Sequence, residues 1–179
     1  MKYFEETIII LGVFTISKAV VIYYSLEQET KTLAEMISDA SNIEIKELVP
    51  IEPEDRRDCK TYFWKGKKYD LANNPKLEDL EISIDDYDLI FIGTPIWELT
   101  YSPPVKSFFN DYEVKNKKIA VFYTHEGEKG DFLEKFKDLI GENELVAYID
   151  FYDPLNSNLE SVEEEICKWA DVVMKKELG

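Results

Sequence analysis

From Ala19 onward, runs of consecutive apolar residues alternate with segments whose apolar positions recur three and four apart. Ala19 to Tyr24 (AVVIYY), Asp88 to Gly93 (DLIFIG), Lys118 to Thr124 (KIAVFYT) and Leu145 to Phe151 (LVAYIDF) are of the first kind. A strand covered on both faces has no solvent side for polar residues, so each run predicts a buried strand of a parallel sheet. Ile43 to Leu48 (IEIKEL) alternates instead and predicts a strand near the sheet edge. Thr30 to Ala40 carries Leu33, Ala34, Met36 and Ile37 at helical spacing; Pro104 to Asp111, Asp131 to Ile140 and Leu159 to Lys176 are helical patterns too. Five strands alternating with helices imply right-handed β-α-β crossovers and an α/β fold, a doubly wound parallel sheet between two helical layers.

Two stretches break the rhythm. Pro50 to Leu80 holds three prolines and the cluster Tyr62-Phe63-Trp64, and reads as a long connection with a short helix near Arg56 to Trp64, its aromatics serving as lid or core material. Thr7 to Ile16 (TIIILGVFTI) is an apolar run of ten residues. That is about half of what a membrane helix needs, and Lys2 is opposed by Glu5 and Glu6 where a secretory leader would be positive. The chain therefore divides into an N-terminal apolar extension, residues 1–17, packed on or fraying from one domain over 18–179, with a membrane or export role as the alternative for the extension.

Charge narrows the partners. The 179 residues carry a formal net charge of −16, a field that repels nucleic acid and anionic bilayers and favours encounter with basic protein surfaces. Two distant cysteines and the single His125 supply no zinc signature, and without a disulfide framework the chain suits a reducing cytoplasm.

In a doubly wound sheet a ligand sits beyond the carboxyl ends of the strands. Three loops meet there: Ser25 to Thr30, Thr94 to Tyr101 and Thr124 to Gly130. No G-x-G-x-x-G follows the first strand, no G-x-x-x-x-G-K-[ST] occurs, and the acids of a phospho-receiver are replaced by Tyr23-Tyr24-Ser25 and Gly93-Thr94. The first loop, SLEQETKT, instead places three hydroxyls where a helix begins. Such an end holds phosphate through unpaired N–H groups and its dipole, or is an ordinary cap with Thr30 as the capping residue. In the second loop Pro95 suggests an exposed turn that displays Trp97 to a ligand. The third supplies Gly127, Gly130 and His125, the latter set to meet a ligand or to cap a backbone carbonyl.

DYDLIFIGTPIW with PPVKSFF, and YYSLEQETKTLAEMI after the first strand, resemble the flavodoxin-like flavoproteins over about Lys18 to Trp169. The resemblance implies strand order 2-1-3-4-5, non-covalent FMN, and electron transfer with a redox partner, here a basic one. It implies a phosphate at Ser25, Thr30 and Thr32, with Glu27 and Gln28 in the same turn. Thr94, Pro95, Ile96 and Trp97 would line the flavin ring, and Thr124, His125 and Gly127 would form its third wall. No catalytic residue and no metal are implied, because the flavin carries the chemistry.

One departure bears on affinity. The family usually has Gly-Asn where this chain has Gln28-Glu29. A left-handed Gln28 costs about 1–2 kcal/mol, and a carboxylate about 6 Å from phosphate adds roughly 3 kcal/mol before screening. Glu98 and Glu126 place acids in the other two loops as well. Three functions follow: an FMN-binding electron carrier or small flavin oxidoreductase, an NAD(P)H-dependent quinone or related reductase with the same cofactor, and a flavodoxin-shaped interaction or structural protein that has lost FMN. The sequence leaves the oligomeric state open.

Overall fold

The computed structural model describes residues 18–51, 59–64 and 67–179, so the apolar extension over 1–17 lies outside the described residues. In chain order the elements are β1 (Ala19–Tyr23), α1 (Glu29–Ser41), β2 (Glu44–Glu47), β3 (Cys59–Trp64), β4 (Lys67–Ala72), β5 (Leu89–Trp97), β6 (Thr100–Tyr101), α2 (Pro103–Asp111), β7 (Lys118–His125), α3 (Phe132–Ile140), β8 (Glu144–Tyr152) and α4 (Leu159–Leu178). The main sheet runs β2-β1-β5-β7-β8, every neighbouring pair parallel. Numbered among themselves, these five strands stand in the order 2-1-3-4-5 that the family resemblance implies. β6 adds a short antiparallel pairing, Ile96 with Tyr101 and Trp97 with Thr100.

The continuous apolar runs exist because both sheet faces are covered. All of β1 and β5 is buried, and so is β7 beyond Lys118. Val20, Ile22, Ile90, Ile92, Ile119 and Val121 pack on one side with Val105 and Phe108 of α2 and Phe132 and Phe136 of α3. Val21, Leu89, Phe91, Ala120 and Phe122 pack on the other with Leu33 and Ile37 of α1 and Ile166 and Ala170 of α4. Each buried Val, Leu, Ile or Phe among them stabilises the fold by about 1.5–3 kcal/mol relative to exposure. Gly93 marks the tightest crossing: a Cβ there would stand 2.4 Å from Phe122 Cζ and 2.8 Å from Tyr23 Cβ.

Two expectations need correction. The segment read as a helix near Arg56 to Trp64 is instead strand from Cys59, paired antiparallel with β4 as a hairpin; residues 56–58 lie outside the described ones. Its β-branched and aromatic residues suit a pleated surface better than a helix. β5 also continues past Gly93 through Trp97, because β7 pairs with it as far as Pro95 and β6 pairs with its last two residues.

The two ends of the described chain meet at the amino edge of the sheet. The Lys18 carbonyl accepts from Asp88 and Leu89 N–H, Lys118 N–H donates to the Asp88 carbonyl, and Lys118 Nζ donates to the Glu177 carbonyl at 2.8 Å. Among the described residues no helix is long and apolar enough to cross a membrane.

Candidate functional site

At the first loop the chain leaves β1 and enters α1 through Gln28, whose φ of 74° is left-handed. A residue with a Cβ pays about 1–2 kcal/mol there, so the turn is kept without the glycine that would make it easy. Gln28, not Thr30, is the capping residue. Its carbonyl accepts from Thr32 N–H at 2.8 Å, while its side chain makes no capping bond. Glu29 and Thr30 follow in the first turn, 3% and 1% exposed.

Ser25, Leu26, Glu27, Glu29, Thr30, Pro95 and Thr124 line a narrow recess of about 10 Å³. Five of the seven are residues predicted for the site: Ser25, Glu27, Thr30, Pro95 and Thr124. Thr30 Oγ1 and Thr124 Oγ1 share a buried hydrogen bond of 3.0 Å that ties the first loop to the third. Ser25 Oγ is buried without a hydrogen-bond partner among the described residues, and a buried hydroxyl left so is costly unless something else satisfies it. The recess has room for about one water molecule. It falls short of the roughly 300–1,000 Å³ of ordinary small-molecule sites.

The second loop differs from expectation. Thr94, Pro95, Ile96 and Trp97 are all buried within β5, so Pro95 makes no exposed turn. Thr94 Oγ1 accepts from Ser102 N–H and shares a bond with Ser102 Oγ, both at 3.1 Å, which anchors β5 to the start of α2. Trp97 is only 5% exposed and belongs to the core cluster. Tyr24 meets it edge-on at 5.8 Å and Tyr62 tilts against it at 4.5 Å. Its indole N–H is a second buried donor without a partner among the described residues.

What covers Trp97 is the β3–β4 hairpin. Lys60 stands opposite Leu71 and Tyr62 opposite Tyr69, and Lys67 lies two residues from Tyr69, so these five share one face of the hairpin. That face is turned to the loops. Lys67 Nζ lies 2.7 Å from Glu27 Oε1, and Tyr69 Oη donates to the same oxygen at 2.7 Å. Lys60 pairs with Glu98, and its ammonium stands 5.6 Å from the Tyr62 ring centre. The bond to Glu27 raises the Tyr69 phenol above its ordinary value.

The third loop is committed internally. His125 closes β7, with Nδ1 2.9 Å from the Gly127 carbonyl and Nε2 3.1 Å from Asp150 Oδ2. Lys129 Nζ meets the same oxygen at 2.9 Å, and Tyr123 Oη donates to Oδ1 at 3.4 Å. Burial pushes the Asp150 carboxyl up, but hydrogen bonds from Lys129 and His125 outweigh it and hold it below the usual range. His125 thus meets a backbone carbonyl in this structure, and Gly127 contributes that oxygen. One carboxylate oxygen each from Glu29, Glu126 and Asp153 lies within 4.8 Å of the others, so the acids of the first and third loops converge.

A family model described as flavodoxin matches residues 18–171. The chain belongs to the flavodoxin family. No curated protein sequence matches it. Among solved structures, a Bacteroides eggerthii protein assigned as a flavoprotein is similar at 22% identity and TM-score 0.66, covering 88% of this flavodoxin and 98% of its own chain. A Lactobacillus acidophilus flavoprotein in complex with FMN has 23% identity and TM-score 0.59, over 75% and 93% of the two chains. Oxidised Flavodoxin 2 from Bacillus cereus has 15% identity and TM-score 0.58, over 89% and 99%. At such identities the likeness is one of fold.

The structure therefore brings the predicted residues of this flavodoxin together unevenly. Ser25, Glu27, Thr30, Pro95 and Thr124 share the recess. Thr32 stands in α1 and Gln28 is exposed at its cap, while Thr94, Ile96, Trp97 and His125 are packed or bonded within the fold. Lys60, Lys67, Tyr69 and Asp150 were not foreseen. For the first three a signal existed: Cys59–Trp64 and Lys67–Ala72 are two runs of six flanking a two-residue connection that contains Gly66.

Proposed function

We propose that this flavodoxin binds FMN and carries electrons to or from a basic protein partner. The observation that carries the reading is the orphaned Ser25 hydroxyl in the recess at the start of α1, its left-handed turn kept by Gln28. Ser25 and Thr30, with N–H groups of the first helical turn, would hold the phosphate, and Thr124 closes the recess from the third loop. Trp97 offers an aromatic wall for the ring once Tyr62 is drawn aside. Bound FMN would supply the redox chemistry. The chain's own work is to bind, to exclude water through the apolar residues about Trp97, and to present an acidic surface that steers a basic partner. Cys59 and Cys167, both unpaired thiols, support a cytoplasmic setting.

A second reading, a flavodoxin fold that no longer takes FMN and serves as a structural or interaction protein, is favoured by two observations. Glu29 is buried in the recess, and Tyr62 already holds one side of Trp97. Titration of the protein with FMN decides between them. Saturable quenching of flavin fluorescence with a 1:1 endpoint is the expected result, and no quenching across the titration sinks the FMN reading. If FMN binds, bleaching on addition of NADH or NADPH would assign a reductase in place of a carrier.

A further inference from the structure

A second hollow, a groove of about 460 Å³, lies where the start of α3 meets β8. Tyr123 and Phe132 line it as buried aromatics, and Tyr148, 55% exposed, lines it from β8. Its charged lining is Lys129, Asp131, Glu134 and Asp150. β8 is an edge strand, paired with β7 alone, so no further strand among the described residues closes the groove on that side. Tyr148, Asp150 and Tyr152 alternate along β8 and share one face of it, and Tyr152 is 63% exposed. Two exposed tyrosines thus flank a carboxylate along this edge.

Three carboxylates and one ammonium in the lining give it a formal charge of −2. Two of the carboxylates are already engaged: Asp150 holds Lys129 at 2.9 Å and His125 at 3.1 Å, and Asp131 holds Lys135 at 2.7 Å. Glu134, exposed in the first turn of α3, has no ion pair among the described residues, and its charge offsets the positive end of that helix. A planar guanidinium fits Glu134 and Tyr148 together. The carboxylate takes its forked N–H groups and the ring takes its face. Five of the nine lining residues, Lys129, Gly130, Asp131, Glu134 and Tyr148, are exposed. A small molecule buries most of its surface within enclosing walls, which this groove lacks. Tyrosine and arginine are instead the residues enriched where proteins meet, and a net charge of −16 draws basic partners.

We propose that the groove between α3 and β8 is the docking site of a basic protein partner, an arginine of which sits between Tyr148 and Glu134. The groove adjoins the ligand loops, because Asp150 holds His125, the residue after Thr124 of the recess. A partner seated there stands at the end of the sheet where the three loops meet. This proposal rests on the carrier reading above and adds to it the place at which the basic partner docks.

The probe is acetyl-hexaarginine amide, titrated at low salt into the full chain labelled with nitrogen-15. The largest amide shifts should fall at 129–134 and 148–152, and shifts spread evenly over the acidic surface overturn the site. Tyr148→Ala leaves the net charge unchanged and should raise the peptide Kd roughly two- to fivefold, the worth of an exposed cation–ring contact. Tyr148→Phe should retain most of the affinity. Glu134→Gln should weaken binding more than Glu164→Gln, which removes the same charge from α4 in the opposite helical layer. A Kd unmoved by Tyr148→Ala, or moved as far by Glu164→Gln as by Glu134→Gln, overturns the proposal. Acetylarginine amide, the single-residue probe, should bind far more weakly; affinity equal to that of the hexapeptide would make the groove a small-molecule site and overturn protein docking. Titration of the same protein with FMN separates the two readings. Uptake of FMN without excess shifts at the groove leaves the flavin reading standing and overturns the docking site. Peptide at the groove of a protein that takes up no FMN upholds the docking site and removes the carrier role.

Discussion

The central sheet and the β3–β4 hairpin touch at Trp97 yet are held by different forces. In β1, β5 and β7 nearly every side chain is buried between helices, so stability there scales with apolar area and changes little with ionic strength. The hairpin is bound through Lys60, Lys67, Tyr62 and Tyr69 to groups on the first two loops, most of them charged and near solvent, where attraction is modest and screened. A scaffold built the first way stays in one arrangement. An element held the second way is loosened more readily by salt.

The largest expected effect breaks the scaffold side of that contrast. Phe122 is fully buried against Gly93 and the α1–α4 layer, and Phe122→Ala should cost about 3–5 kcal/mol of unfolding free energy. Urea unfolding would measure it, and a loss under 1 kcal/mol would contradict the packing described.

A pH scan sharpens the same side. Burial is the main cause that raises the phenols of Tyr23, Tyr24 and Tyr123, and it pushes Tyr87 up to about 12. A folded value above the unfolded one means that the contribution is full below about pH 10, where unfolded tyrosine begins to ionise, and is lost as pH rises toward the folded values. The thermal midpoint should fall between pH 10 and 12. A flat profile there would mean that these hydroxyls ionise in the folded chain as readily as in the unfolded one.

The smallest effect belongs to the hairpin. Raising salt to about 1 M shortens the screening length to about 3 Å; amide exchange at 59–64 and 67–72 should quicken while the global unfolding midpoint barely moves. Exchange that slowed or held constant would show that the ion pairs with Glu27 and Glu98 do not fasten the hairpin.

The layered sheet was legible because burial on two faces leaves an unmistakable trace: uninterrupted apolar runs such as VVIY and LIFI. The turn at Gln28 was legible from position alone, as the place where a strand hands over to an amphipathic helix. Trp97 misled, because Pro95 suggested a break where pairing with β7 and β6 keeps the strand straight, and because its cover, Tyr62, lies far upstream in the chain. Lys67 and Asp150 were out of reach for a related reason. Each gains its meaning from a partner distant in sequence, 40 residues for Lys67 with Glu27 and 25 for Asp150 with His125, and local periodicity carries no record of such encounters.

The meeting of Lys18, Asp88, Lys118 and Glu177 at one rim of the barrel-free sandwich has a practical corollary. Lys18 and the end of α4 both lie opposite the connecting loops. Grafted to an electrode or a bead by the end of α4, the molecule would present the Ser25 loop and the hairpin outward, ready for contact with whatever arrives from solution.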